Sequence, residues 1–153
     1  MKTHEYRTFV HWSADGAGTV SYRSYSRNHS LGAPGKPEIA ASSDAAFRGD
    51  AARYSPEDLL VASLSSCHML WYLHLCAVNG VTIVEYHDDA TGRMEVSSDG
   101  SGRFTSVTLR PRATVAAGDP DRALALHEEA HRLCFIARSV NFPVEVEGAI
   151  TGG

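Results

Sequence analysis

The chain has 153 residues and a formal net charge of −4, which suits one domain with a sizeable core rather than two. This mild acidity gives no indication of a nucleic-acid partner or of binding to an anionic membrane surface. The first twelve residues contain no apolar run, so we expect no signal peptide. Without an export signal, the three cysteines predict free, metal-bound or redox-active thiols rather than a disulfide framework. We therefore expect a single domain over residues 1–153, located in the cytoplasm.

The N-terminal third predicts short strands joined by turns. Residues 5–12 alternate as a first strand does, and residues 38–41 suit another short strand. Between them, the Tyr-, Ser- and Arg-rich residues 19–31 fit either a strand or an extended loop. Residues 42–54 show no clear period and predict a surface loop.

The stretch from Ser55 to Gly80 predicts a long helix around which the chain is organised. Ser55 suits the N-cap, Pro56 suits the first helical position, and Asn79-Gly80 is a stop signal. The helix is apolar nearly all round, which is typical of a core helix. Several serines and histidines interrupt it and no second such segment exists, so we do not expect a membrane span.

The pattern after Gly80 is that of strands. Residues 81–86 and 93–97 predict a hairpin, and a turn at residues 98–102 leads into one long strand over residues 104–115. Within that strand, Pro111 favours an edge position or a bulge.

A second helix is predicted from Pro120 to about Arg138, with a last strand after Asn141-Phe142-Pro143. Its expected apolar stripe leaves His127 on the more exposed side and contains Leu124, Ala130, Leu133, Cys134 and Ala137. The order βββ-α-βββ-α-β predicts a two-layer α+β domain.

The three cysteines are the candidates for chemistry. Cys67 and Cys134 each lie on a helix among apolar neighbours, where a free cysteine often simply fills core space. Cys76 follows Cys67 by nine residues, so it points away from it and is expected to pack. His127, His131 and Cys134 share an i, i+4, i+7 face that could ligate zinc. Because no fourth ligand and no paired-ligand spacing accompany them, we expect neither a metal nor another cofactor.

The stretches SPEDLLVASLSSCHMLWYL and HRLCFIARSVNFPVEVE, with YSRNHSL upstream, resemble the OsmC/Ohr family of thiol-dependent hydroperoxide reductases. The resemblance implies an α+β, two-layer fold with an antiparallel sheet, a long buried central helix and a second helix. It also implies that Cys67 is the peroxidatic cysteine, Cys134 the resolving cysteine and Glu57 the family's glutamate. The family's arginine corresponds to Arg27, with Arg23 as the alternative. Phe135 stands where the family's second motif often has proline.

The function implied by this resemblance is reduction of organic hydroperoxides to alcohols. Cys67 would become a sulfenic acid, Cys134 would resolve it as a disulfide, and a dithiol reductant would restore both thiols. The alternative is a non-catalytic domain of the same fold that binds an apolar ligand or senses redox state.

The position of Glu57 predicts a homodimer. Ten residues of helix separate Glu57 from Cys67, a distance of about 15 Å. If Glu57 orients the arginine, two central helices that run antiparallel across a two-fold axis would bring it near the cysteine of a second copy. An intertwined homodimer would also cover apolar helix surface that a monomer exposes.

Overall fold

The computed structural model describes residues 1–152. The chain divides into two compact units, Met1–Leu59 and Leu60–Gly153, and the boundary falls in the first turns of the long helix. The mixture of helices and sheets confirms the predicted α+β class. The expectation of a single domain over residues 1–153 stays a prediction.

The first unit contains a three-stranded antiparallel sheet of β1 (Phe9–His11), β2 (His29–Gly32) and β3 (Ile39–Ala41), paired in that order. The predicted first strand over residues 5–12 is only three residues long, because both of its faces are exposed and little burial stabilises it. Of the two alternatives for residues 19–31, most of the stretch is loop and only its end forms β2.

The long helix α1 (Pro56–Val78) begins and ends where its local signals predict. Ser55 Oγ accepts from the Asp58 amide at 3.1 Å, and an Asp58 carboxylate oxygen accepts from the Ser55 amide at 3.0 Å. This reciprocal pair is a capping box. At the other end, Gly80 takes a left-handed conformation at φ 71°, which a residue with a Cβ rarely adopts.

In a single copy of the chain, α1 is buried on one face only. Leu70 and Val78 are 61% and 64% exposed, and only 28% of the most apolar 18-residue window is buried. By length and composition alone α1 could cross a membrane. The buried side chains fall on one face: Leu64, His68, Tyr72, Leu75 and Cys76. A single copy of the chain therefore leaves much of the apolar surface of α1 open.

The second unit contains two three-stranded sheets. One has the order β4 (Thr82–Asp88), β7 (Pro111–Ala117), β9 (Ala149–Gly152), and the other has the order β5 (Thr91–Val96), β6 (Gly102–Leu109), β8 (Val144–Val146). The first two strands of each sheet are antiparallel, as expected. The third strand of each is parallel to its neighbour, so both sheets are mixed rather than purely antiparallel.

Two strand predictions were wrong for one physical reason. Residues 81–86 and 93–97 do not form a hairpin, and residues 104–115 are not one strand, because both stretches change sheet midway. At the change, the Arg110 amide donates to an Asp88 carboxylate oxygen at 2.6 Å instead of to a strand, and Pro111 has no amide hydrogen to donate. The other Asp88 oxygen accepts from Ser65 Oγ at 2.5 Å.

The second helix α2 (Pro120–Leu133) starts as predicted but ends earlier. The Asp119 side chain caps it by accepting from the Asp121 amide at 2.9 Å. Cys134 is not helical, with φ −61° and ψ 116°. The apolar stripe is also rotated from the predicted one, since Leu124 is 46% exposed. The buried positions are Ala123, Leu126, His127 and Ala130.

Candidate active site

Cys67 is half-buried on α1 and opens onto an apolar pocket of about 310 Å³. Leu70, Trp71 and His74 line the pocket with it, at the i+3, i+4 and i+7 spacing that places side chains on one helix face. Phe135, from the loop after α2, completes the lining. We call this set of five residues the thiol pocket. It is large enough for a small organic molecule, and its lining surface is almost entirely apolar.

Cys134 lies beside Cys67 and is 1% exposed. Burial raises the pKa of the Cys134 thiol to about 11, and a hydrogen bond with the Cys67 thiol adds to the increase, while the backbone amides of Ala137 and Ile136 oppose it. Cys134 is therefore a neutral thiol at neutral pH. The two thiols are close enough to interact, both are free, and of the two only Cys67 faces the pocket.

Cys76 is separate from this pair and has the packing environment expected for it. It is 1% exposed in a core cluster that also contains Tyr72 and Val81. Burial raises the pKa of the Cys76 thiol, although a hydrogen bond with Tyr72 partly opposes this.

Arg27 belongs to the first unit, where its own loop holds the guanidinium. The guanidinium donates to the carbonyls of Tyr25 at 2.6 Å and Tyr22 at 2.7 Å. It also lies 3.8 Å from the ring centroid of Tyr25 and 4.8 Å from that of Tyr22, as cation–π contacts require. Arg23, the alternative, is exposed. Fixed in this way, the Arg27 fork keeps further N–H groups available for a ligand.

Glu57 also belongs to the first unit. It occupies the first turn of α1, where its negative charge interacts favourably with the helix dipole. Its Oε2 atom is buried and has no hydrogen-bond partner among residues 1–152. A carboxylate oxygen in that state is expected to have a partner, because burying it without one is costly.

A second group of polar residues, which the sequence did not predict, lies on the buried face of α1. His68 Nε2 is 2.9 Å from His127 Nδ1, and the His127 ring stacks on Tyr72 with centroids 3.8 Å apart. We call His68, Tyr72 and His127 the histidine cluster. The predicted exposed position of His127 was wrong. The usable signal was helical register, since His127 follows Ala123 by four residues and precedes Ala130 by three.

Both imidazoles of the histidine cluster are held neutral. Burial lowers the pKa of His68 to about 4, with nearby His131 lowering it further and Asp88 raising it, and burial beside His68 lowers the pKa of His127 to about 3. One N–H···N bond joins the two rings, while His68 Nδ1 and His127 Nε2 have no partner among residues 1–152. Neither imidazole is therefore protonated near neutral pH, as a histidine that acts as a general acid must be.

The zinc face considered for α2 does not form. His127 turns to His68, and Cys134 lies beyond the end of the helix against Cys67. Within residues 1–152 no three metal-ligating side chains are grouped together.

Comparisons with known proteins agree with the fold and with the sequence motifs. A family model described as OsmC-like protein matches residues 49–148. The structure of an OsmC-like protein of unknown function from Vibrio cholerae is 31% identical, with a TM-score of 0.86 over 95% of this chain and 99% of that one. A comparison with curated proteins gave no significant match.

Two more distant structures show the same fold. The organic hydroperoxide resistance protein OsmC of Legionella pneumophila is 17% identical, with a TM-score of 0.68 over 97% of this chain and 99% of that one. The organic hydroperoxide resistance protein OhrB of Bacillus subtilis is 16% identical, with a TM-score of 0.63 over 97% and 98% of the two chains. The family model covers about two thirds of the sequence, and the Vibrio cholerae structure aligns along nearly all of it. This chain therefore belongs to the OsmC-like family, as its motifs predicted.

Proposed function

We propose that this protein is a cysteine-based peroxidase that reduces organic hydroperoxides to alcohols in the cytoplasm. The observation that carries the proposal is the proximity of two free thiols, of which Cys67 opens onto an apolar pocket and Cys134 is buried. Proteins of the same fold from Legionella pneumophila and Bacillus subtilis are named for organic hydroperoxide resistance, which agrees with this reaction.

In the first step the Cys67 sulfur, as thiolate, attacks the terminal oxygen of the hydroperoxide, the one that bears the hydrogen. A sulfur–oxygen bond forms, the oxygen–oxygen bond breaks, and the released alkoxide takes up a proton to leave as the alcohol. Cys67 is oxidised to a sulfenic acid and the peroxide is reduced by two electrons. The apolar lining of the thiol pocket favours a peroxide with an organic group over hydrogen peroxide.

In the second step Cys134 resolves the sulfenic acid. Its sulfur attacks that of Cys67, a disulfide forms, and the sulfenic oxygen leaves as water with the proton that Cys134 gives up. The proximity of the two thiols supports this step, because a disulfide forms only between cysteines that lie near each other. A dithiol then reduces the disulfide by exchange, and the enzyme returns to its two free thiols.

We propose that Arg27 orients the peroxide and stabilises the leaving oxygen. Lowering the pKa of any thiol by three units raises its thiolate fraction at pH 7 roughly 30-fold. The same change weakens the thiolate as a nucleophile by roughly 20-fold, so the two effects nearly cancel. An arginine contributes more by binding the oxygen that gains charge in the transition state. The rigid hold on the Arg27 guanidinium by two carbonyls suits that role.

We also propose that the active form is a homodimer in which Glu57 acts with the arginine at the site of a second copy. The unpartnered Glu57 oxygen and the exposed apolar side chains of α1 support this arrangement. Mixing Cys67→Ser chains with Glu57→Ala chains should restore activity at one of two sites in each mixed dimer. Failure of the mixture to regain any activity would contradict the shared site.

Steady-state turnover of cumene hydroperoxide with a dithiol reductant tests the proposed function. An enzyme consumes many equivalents of peroxide per chain while the dithiol lasts. A redox sensor or a binding domain consumes one equivalent at most, and that result would overturn the proposal.

A further inference from the structure

Phe135 occupies the position at which this chain differs from the family's second motif, and it lies at the thiol pocket. Its side chain is 66% exposed, yet it contacts Trp71 edge-on with ring centroids 5.4 Å apart and an angle of 80° between the planes. Trp71 has a similar contact with His74, at 5.8 Å and 83°. Two rings thus stand nearly perpendicular to the indole beside Cys67.

The backbone around Cys134 fixes the position of Phe135. α2 ends at Leu133, and the extended conformation of Cys134 redirects the chain. The Cys134 side chain is sealed against Cys67, so the next residue is held near the thiol by a buried anchor. Ser139 Oγ donates to the Phe135 carbonyl at 2.7 Å and holds the backbone from the other side.

We propose that Phe135 is a specificity-determining residue that selects hydroperoxides whose organic group carries an aromatic ring. This inference rests on the proposed function, because it places the organic group of the peroxide in the thiol pocket. A substrate ring there meets aromatic surfaces that favour edge-to-face and offset contacts, whereas a small aliphatic group or hydrogen peroxide gains none of these contacts. The bonds made and broken at Cys67 are the same for every peroxide, and Phe135 acts only on the organic group.

The test compares cumene hydroperoxide with tert-butyl hydroperoxide in single-turnover experiments. Both are tertiary hydroperoxides and differ by a phenyl group in place of a methyl group, so the ratio of their rate constants isolates the contribution of the ring. A single turnover reports the oxidation of Cys67 and does not depend on the reductant. The wild-type ratio should favour cumene hydroperoxide.

The variants separate the effect of the ring from the effect of bulk. Phe135→Ala and Phe135→Leu should each lower the ratio by roughly threefold to tenfold, and Phe135→Tyr should keep it near the wild-type value. Leu124→Ala is the matched control, since Leu124 is also an exposed apolar side chain but lines a different pocket. It should leave the ratio unchanged.

An unchanged ratio in either Phe135→Ala or Phe135→Leu, with both peroxides still consumed, overturns this inference and leaves the proposed function standing. A wild-type protein that consumes neither peroxide overturns the proposed function, and the inference with it.

Discussion

The thiol pocket and the histidine cluster start from adjacent residues of α1 but face different surroundings. Cys67 is half-buried, opens onto an apolar pocket and lies near a second free thiol. His68 is 1% exposed, stacks within a core and shares a hydrogen bond with His127. One turn of helix therefore carries a thiol toward an accessible surface and an imidazole into the core. Neighbouring residues that both have catalytic potential thus differ in access to solvent, and under the proposed function access selects Cys67 as the group that reacts.

The largest expected effect is the loss of activity when Cys67, the accessible one of the two neighbouring residues, is replaced. Cys67→Ser should abolish peroxide consumption, because a hydroxyl is not a nucleophile at neutral pH without a base. Cys76→Ser is the matched control on the same helix, and it should keep its activity because Cys76 is buried away from the pocket. Peroxide consumption and the midpoint of thermal unfolding should be measured for both. Turnover of peroxide by Cys67→Ser would show that Cys67 is not the residue that attacks the peroxide.

The next largest effect is a loss of folding stability at low pH, caused by the two histidines of the histidine cluster. The folded pKa values of about 4 for His68 and about 3 for His127 lie below the value of 6.5 for an unfolded histidine. The folded state therefore binds fewer protons than the unfolded state. The stability that comes from keeping both imidazoles neutral is fully present above pH 6.5, and it is lost as the pH falls toward the pKa values of the folded state. The free energy of unfolding in urea should drop by on the order of 5 kcal/mol between pH 7 and about pH 4.5.

Other groups also titrate in that range, so the pH effect needs a reference protein. In the double variant His68→Phe/His127→Phe this part of the pH dependence should disappear while aromatic stacking on Tyr72 is kept. Imidazole NMR resonances give a second measurement, because both rings should stay neutral down to roughly pH 5. Protonation of either ring near pH 6.5 would show that the cluster is open to water.

The smallest expected effect tests how tightly the histidine cluster is packed. A Cβ added at Gly148 would lie 2.6 Å from His127 Cδ2, and that ring cannot move freely because it stacks on Tyr72. Gly148→Ala should lower the free energy of unfolding by about 1–3 kcal/mol. Gly16→Ala is the control, since a Cβ there meets nothing within 4 Å. Equal free energies of unfolding for the two variants would mean that the His127 ring can shift to make room for the added Cβ at little cost.

Local chemistry was enough to predict both ends of α1 and the start of α2. The capping box of Ser55, the cap of Asp119 and the left-handed Gly80 act within a few residues, so the sequence carries them directly. The sheet changes were not predictable in this way. They depend on Asp88 accepting from the amide of Arg110, which lies 22 residues further along the chain.

The thiol pocket could be predicted from the sequence to a greater degree than the histidine cluster. The resemblance to a family singled out Cys67 and Cys134, although their contact depends on where α2 ends. The histidine cluster joins residues 59 positions apart, and no local pattern pairs them. The apolar circumference of α1 likewise does not tell whether the same chain or a second copy covers it.

The most direct test of the central claim is to locate the disulfide formed by one equivalent of organic hydroperoxide. Mass spectrometry of the digested protein should find Cys67 joined to Cys134, with Cys76 still a free thiol. In Cys134→Ser the same treatment should leave a Cys67 sulfenic acid that a dimedone-type reagent traps. A bond between Cys67 and Cys76, or a Cys67 that stays reduced while the peroxide is consumed, would contradict the account.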